Sequence, residues 1–184
     1  MRAFFAIELD GAARAALTAL IDRLRQSGAR ASWVKPPALH LTLRFLGEVN
    51  EDDAQRAADV MAKEVQGTPP FTCHIRGTGA FPSVRRPSVV WAGVEPAESP
   101  LLDVQAASER AAQAIQLPPE RKPFHPHITL ARIREPRRAE PLIPLLQREG
   151  SFDGGAITVQ HVTLFSSRLT PQGAVYTAVR EVAF

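Results

Sequence analysis

Cysteine is nearly absent from this sequence. Cys73 stands alone, so no intrachain disulfide is available, and 184 residues are enough to bury a core without one. Lysine is scarce too: Lys35, Lys63 and Lys122 are three of 22 basic residues, and the rest are arginine. No run approaches the roughly 18 consecutive apolar residues of a membrane span. The apolar part of the opening "MRAFFAIELDG" is too short for a secretory signal. Together these absences lead us to expect a reducing cytoplasm and no membrane partner, and the length suits one domain or one compact pair of lobes, a single bilobal unit over residues 1–184 once the internal repeat at 35–43 and 122–130 is counted. Also missing are a Walker A loop, a K-x-D-G lysine nucleophile, a cysteine pair and an H-E-x-x-H motif. Their absence argues against ATP-dependent ligation and the usual zinc sites.

What is present alternates between strand and helix. "RAFFAIEL" reads as a strand, and the apolar spacing of "GAARAALTALIDRLRQSG" predicts a helix with Asp10 as its cap and Gly28 as its stop. A second helix is expected after Asn50, with Asp53 at its third position. A third should start at Ser99-Pro100 and run to about Gln116, and a fourth, weaker one should occupy residues 141–148. The runs "LHLTLRFLGEV", "FTCHIRGTGAF", "SVVWAGV", "HITLARI", "AITVQHVTLFSSRL" and "AVYTAVREVAF" read as strands. Several of these alternate apolar with polar, as antiparallel sheets with one covered face do. The fold class is therefore α+β, with antiparallel-rich sheets flanked by helices.

Two segments repeat one another. "KPPALHLTL" (35–43) and "KPFHPHITL" (122–130) share Lys, Pro, His, Thr and Leu at the same five offsets, 87 residues apart. The repeat predicts two pseudo-symmetric lobes around a central cleft, each contributing one copy. On a strand, His40 and Thr42 project to one face while Leu41 and Leu43 project to the other, and His127 and Thr129 oppose Ile128 and Leu130 in the same way. Two imidazoles across a cleft supply a base and an acid near neutral pH. Flanking threonine hydroxyls donate to the oxygens of an anionic tetrahedral centre. Phosphodiester cleavage fits, one ring activating the attacking oxygen and the other protonating the leaving one. On symmetry alone these roles are interchangeable.

"HLTLRFLGEV", "PHITLAR", "MRAFFAIEL" and "TLFSSRLTPQGAVY" together resemble the two-histidine phosphoesterases, specifically the RNA 2′,3′-cyclic phosphodiesterase (2′-5′ RNA ligase) family. The resemblance covers nearly the whole chain. It implies a two-lobed α+β fold with a central cleft and hydrolysis of RNA 2′,3′-cyclic phosphate ends to 2′-phosphates, without metal or cofactor. It makes His40 the proton donor to the leaving 3′ oxygen and His127 the base on water. Reversal would give ATP-independent 2′-5′ ligation. The expected partners are RNA ends or small cyclic nucleotides, met by a monomer. The alternatives are a non-catalytic module that binds RNA ends, and a phosphodiesterase for a small cyclic or 2′-5′ linked nucleotide.

Other residues compete for a place in this site. Arg132 closes "HITLAR" as a natural phosphate ligand, yet strand parity from Thr129 puts it on the apolar face unless a bulge or strand end at Ala131 redirects it. Arg44 has the parity of His40 and Thr42. A third His-x-Thr, His161-Val162-Thr163, lacks the Lys-Pro lead-in and reads as ordinary strand. His125 should lie in the turn before the strand, because Pro126 marks the start. Phe4, Phe5, Phe81, Trp91 and Phe124 are candidates for base stacking.

Overall fold

The N-terminal "RAFFAIE" forms β1 (Arg2–Glu8) in the computed structural model, which describes residues 1–171 and 173–184. Asp10 then caps α1 (Gly11–Arg25), its side chain accepting the Ala13 amide at 2.7 Å. A two-residue strand, β2 (Ser32–Trp33), which the sequence pattern does not signal, and one 3₁₀ turn over Pro36–Ala38 lead into β3 (His40–Glu48). Asn50 caps α2 (Glu51–Val65) by accepting the Asp53 amide at 2.7 Å. Glu51, Asp52 and Asp53 in its first turn complement the helix dipole. β4 (Phe71–Ser83) and β5 (Arg86–Glu95) form a long hairpin, followed by α3 (Leu101–Ala114) and β6 (His127–Arg132). The weak fourth helix resolves into a 3₁₀ segment over Pro136–Leu142 and a short α4 (Ile143–Arg148).

The run read as one strand, "AITVQHVTLFSSRL", is two: β7 (Asp153–Val159) and β8 (His161–Thr170), broken at Gln160. With β9 (Gly173–Ala183) they complete one sheet in the order β7-β4-β5-β6-β3-β1-β8-β9, with β2 pairing β6 off this path. All its pairs are antiparallel. Gln160 therefore links strands near opposite ends of the sheet, and so short a link requires the sheet to curl until those ends approach. The stacked rings of Phe71 on β4 and Phe184 after β9, 6.1 Å apart, agree with this curl.

The expected α+β class and its two-lobed symmetry appear within this one sheet. Outward from the centre, β6-β5-β4-β7 mirrors β3-β1-β8-β9. The two halves meet through a single residue pair, Leu41 with Ile128. Beyond that pair the strands diverge, and β2 takes over the edge of β6, Ser32 opposite Arg132 and Trp33 opposite Ala131.

The helices cover one face: α1 packs on β7, α2 on β9 and α3, and α3 on β3. Into that face point Leu41, Leu43, Ile128 and Leu130, none more than 4% exposed. The other face is the concave one and carries the polar halves of the same strands. Leu17 of α1 is fully buried in this core. Leu17→Ala is expected to lower stability by about 2–5 kcal/mol through lost burial and the cavity left behind. A drop in the denaturant midpoint at constant m-value checks it. Among the described residues no helix is long and apolar enough to cross a membrane.

Candidate active site

Both repeat copies enter their strands in the same way. The ring Nδ1 of His40 lies 2.8 Å from the carbonyl oxygen of Ala38, and that of His127 lies 2.6 Å from the carbonyl oxygen of His125. A carbonyl only accepts, so each Nδ1 carries the proton and donates it, which leaves Nε2 as the working atom of the neutral ring. Arg14 of α1 braces the approach to His40, donating to the Pro36 carbonyl at 2.8 Å and to the Leu9 carbonyl at 3.2 Å.

The pairing of Leu41 with Ile128 sets His40 opposite Thr129 and Thr42 opposite His127 on the concave face. The two histidines are thus diagonal neighbours, a relation that separates Cα atoms by roughly 7–8 Å in a regular ladder. The two threonines lie on the other diagonal. The structure brings His40, His127, Thr42 and Thr129 together, as the repeat predicts.

Aromatic rings enclose each imidazole. His40 lies 4.9 Å from the Phe4 ring and meets Tyr176 edge-on at 5.1 Å. His127 meets Phe81 edge-on at 5.0 Å and lies 6.3 Å from Trp91. This burial pushes both imidazoles below their ordinary pKa, because desolvation penalises the charged ring. The Ala38 and His125 carbonyls oppose the shift, while the Arg132 cation adds to it at both rings. Burial likewise raises the Tyr176 hydroxyl, against the pull of Arg132 and Arg2.

A bulge in each copy decides which arginine joins the site. In β6 the register against β5 slips between Val90 and Trp91, so Trp91 faces Thr129 but Val90 faces Ala131. Leu130 and Ala131 are both buried as a result, and Arg132 returns to the concave face, exposed. The redirecting bulge that the parity argument required is therefore present, and Arg132 lies near enough to act electrostatically on His40, His127 and Tyr176.

The matching bulge in β3 has the opposite consequence for Arg44. Thr42 pairs Ala6 while Arg44 pairs Phe5, so Leu43 and Arg44 share the helix side. There Arg44 meets Glu109 of α3 at 3.0 Å and donates to the Pro118 carbonyl at 2.6 Å. Its expected alignment with His40 and Thr42 is overturned because simple alternation fails across a bulge. Phe45 takes the concave position instead, 57% exposed, 87 residues before Arg132 and its counterpart in the repeat. The sequence reading missed Phe45 and Tyr176. Extending the repeat two residues beyond the shared Leu43/Leu130 would have found the first.

His125 lies before β6, as expected, and serves through its carbonyl. His161 Nε2 approaches Glu8 Oε2 at 3.5 Å, and the buried Thr163 hydroxyl donates to the same oxygen at 3.1 Å. Glu8, His161 and Glu181 form the one His/carboxylate cluster of metal-binding spacing among the described residues, and neither His40 nor His127 belongs to it. Cys73 is buried, and desolvation raises its thiol pKa.

The model of the LigT like phosphoesterase family matches this chain twice, over residues 7–91 and 93–176. An RNA 2′,3′-cyclic phosphodiesterase of Methanothermobacter thermautotrophicus is 36% identical over 177 residues, covering 96% of this chain and 95% of the relative. The crystal structure of TT0787 from Thermus thermophilus matches with a TM-score of 0.82 at 31% identity, over 100% of this chain and 97% of that one. E. coli LigT complexed with 3′-AMP matches with a TM-score of 0.75 at 26% identity, over 99% and 97%. With one match to each half, and with relatives that align over nearly their full length, this chain belongs to the LigT-like phosphoesterase family.

Proposed function

We propose that this protein hydrolyses RNA 2′,3′-cyclic phosphate ends to 2′-phosphates by metal-independent acid/base catalysis between His40 and His127. One observation carries the reading: two imidazoles, each held by a carbonyl two residues upstream, leave both Nε2 atoms to the same concave face. The phosphodiesterase names of the relatives support it.

In this mechanism the phosphorus sits between the rings, and water attacks in line with the leaving 3′ oxygen. His127 Nε2 takes the proton of the water, and His40 Nε2 gives one to O3′ as the P–O3′ bond breaks. The allocation is the one the family resemblance implies, and the surroundings of the two rings are consistent with it. His40 is walled by Phe4 and Tyr176, whereas His127 borders an open hollow through which water arrives. Thr42 and Thr129 donate to the non-bridging oxygens, and Arg132 offsets their charge. Phe45, across the cleft from Arg132, provides a flat surface for the terminal base.

A buried thiol and the absence of other cysteines fit a reducing compartment, and we assign the protein to the cytoplasm, acting as a monomer. The test is incubation with a short RNA bearing a 2′,3′-cyclic phosphate in excess chelator. The expected product is the 2′-phosphate alone. A 3′-phosphate, or loss of turnover on chelation, overturns the mechanism.

A further inference from the structure

The third His-x-Thr pair, His161-Val162-Thr163, takes no part in the cleft, yet it does not stand alone. Ala6 pairs Thr163, so two residues further along β1 Glu8 stands beside His161, and on the other side Glu181 of β9 pairs Thr163 directly. Register thus gathers one imidazole and two carboxylates from three neighbouring strands on one face, with their ligand atoms within 4.8 Å of one another. No sequence motif announces the group, because its members lie far apart along the chain.

Three features set this group apart from an ordinary surface ion pair. His161 Nε2 and Glu8 Oε2 are 3.5 Å apart. A hydrogen bond between such atoms closes to about 2.7–2.9 Å. Two ligands on one tetrahedral zinc ion, with bonds of about 2.0–2.1 Å, stand about 3.3–3.4 Å from each other, and the observed gap matches this second spacing. Thr163, 1% exposed, donates to Glu8 Oε2 at 3.1 Å and fixes that carboxylate, as the partners behind metal ligands do. Finally, among the described residues neither Glu8 nor Glu181 has an arginine or lysine within ion-pair distance, although the chain has 22 such residues. Two carboxylates beside an imidazole thus lack the cation that most clustered acids find.

We propose that Glu8, His161 and Glu181 bind one divalent transition cation of the zinc class, with His161 Nε2 and one oxygen from each carboxylate as ligands and water in the exposed fourth position. A nitrogen with two oxygens suits zinc, whereas magnesium takes six oxygens in octahedral geometry. The site stands apart from the chemistry of the cleft. Neither His40 nor His127 is a ligand, and hydrolysis proceeds without the ion. What the ion joins is the sheet. β9 is the last strand in the order, and it carries Tyr176 to His40. A cation held by Glu8 of β1 and Glu181 of β9 ties that outer strand, across β8, to the middle of the sheet.

The test is titration of the chelator-treated protein with zinc chloride, read by calorimetry and by the midpoint of thermal unfolding, with magnesium chloride as the control. Wild type should bind one zinc ion per chain, and its midpoint should climb with zinc concentration, as follows when a ligand prefers the folded state. Magnesium should do neither. His161→Gln and Glu181→Gln should each abolish the zinc-dependent rise. Thr163→Val, which removes the hydrogen bond to Glu8, should weaken zinc binding roughly ten- to hundredfold. Glu181 is exposed on an outer strand, so Glu181→Gln should fold as wild type does, and its zinc-free midpoint verifies this. Zinc binding that survives His161→Gln and Glu181→Gln but is lost in His127→Ala puts the ion between the cleft histidines and overturns the site. Equal binding of magnesium, or no zinc binding by wild type, overturns it too. Every readout here is binding or unfolding, so a failure of hydrolysis would bear on the proposed function alone.

Discussion

Replacing His40 or His127 with alanine is expected to reduce kcat for RNA 2′,3′-cyclic phosphate hydrolysis by roughly 10²–10⁴, the usual contribution of a positioned proton donor or acceptor. The two losses should not add. Once either ring is gone the concerted transfer is broken, so the double variant should fall little below the weaker single one. Substrate binding should survive, because Thr42, Thr129 and Arg132 still face the cleft. Single-turnover rates alongside equilibrium binding of a 2′-phosphate-ended RNA separate the two effects. Near-normal turnover by either variant refutes the acid/base pair, whereas binding that survives both substitutions, with no phosphate product formed even by excess wild type, favours a module that only holds RNA ends.

Arg132→Ala should lower kcat/KM by roughly 10²–10³, the range for removing one preorganised charge stabiliser from a phosphoryl or acyl transition state. It should also move the pH profile. The base works when neutral, above its pKa, and the acid works when protonated, below its own. Burial, with Arg132 adding to it, holds both rings below the ordinary imidazole value, so the free-enzyme kcat/KM bell lies on the acid side of it. Removing the Arg132 cation relieves part of that shift, and both limbs should move to higher pH. They belong to the coupled pair and not to either ring alone. A bound phosphate anion favours the imidazolium, so the wild-type kcat bell should lie alkaline of kcat/KM. An Arg132→Ala profile that coincides with wild type would remove Arg132 from the site.

Much of this was legible in the chain because it depends on local chemistry. Asp10 and Asn50 cap their helices through their own side chains, and each cap lies where the sequence places it. The repeat at an offset of 87 residues, joined to strand parity, sufficed to select His40, Thr42, His127 and Thr129 from all the polar residues present. Arg132 and Arg44 were not decidable in this way. Parity holds only while a strand stays in register with its neighbour, and both bulges are properties of the pairing.

Gln160 shows the same limit. It sits inside an unbroken β-forming run and breaks it because the flanking segments pair with β4 on one side and with β1 and β9 on the other. Tyr176 reaches His40 from β9, 136 positions along the chain, which no local pattern encodes.

By itself the sequence determined most of the strands and helices that form, the four residues His40, Thr42, His127 and Thr129 that the fold then gathers at the middle of the sheet, and the existence of two related halves. Only tertiary structure decided that the halves share one curled sheet joined at Leu41 and Ile128, and that Arg132 enters the cleft while Arg44 is locked to α3. It also decided that a hollow opens beside His127. The reason is physical: propensity and periodicity act within a few residues, whereas register, bulge and curl are set by what lies on the next strand.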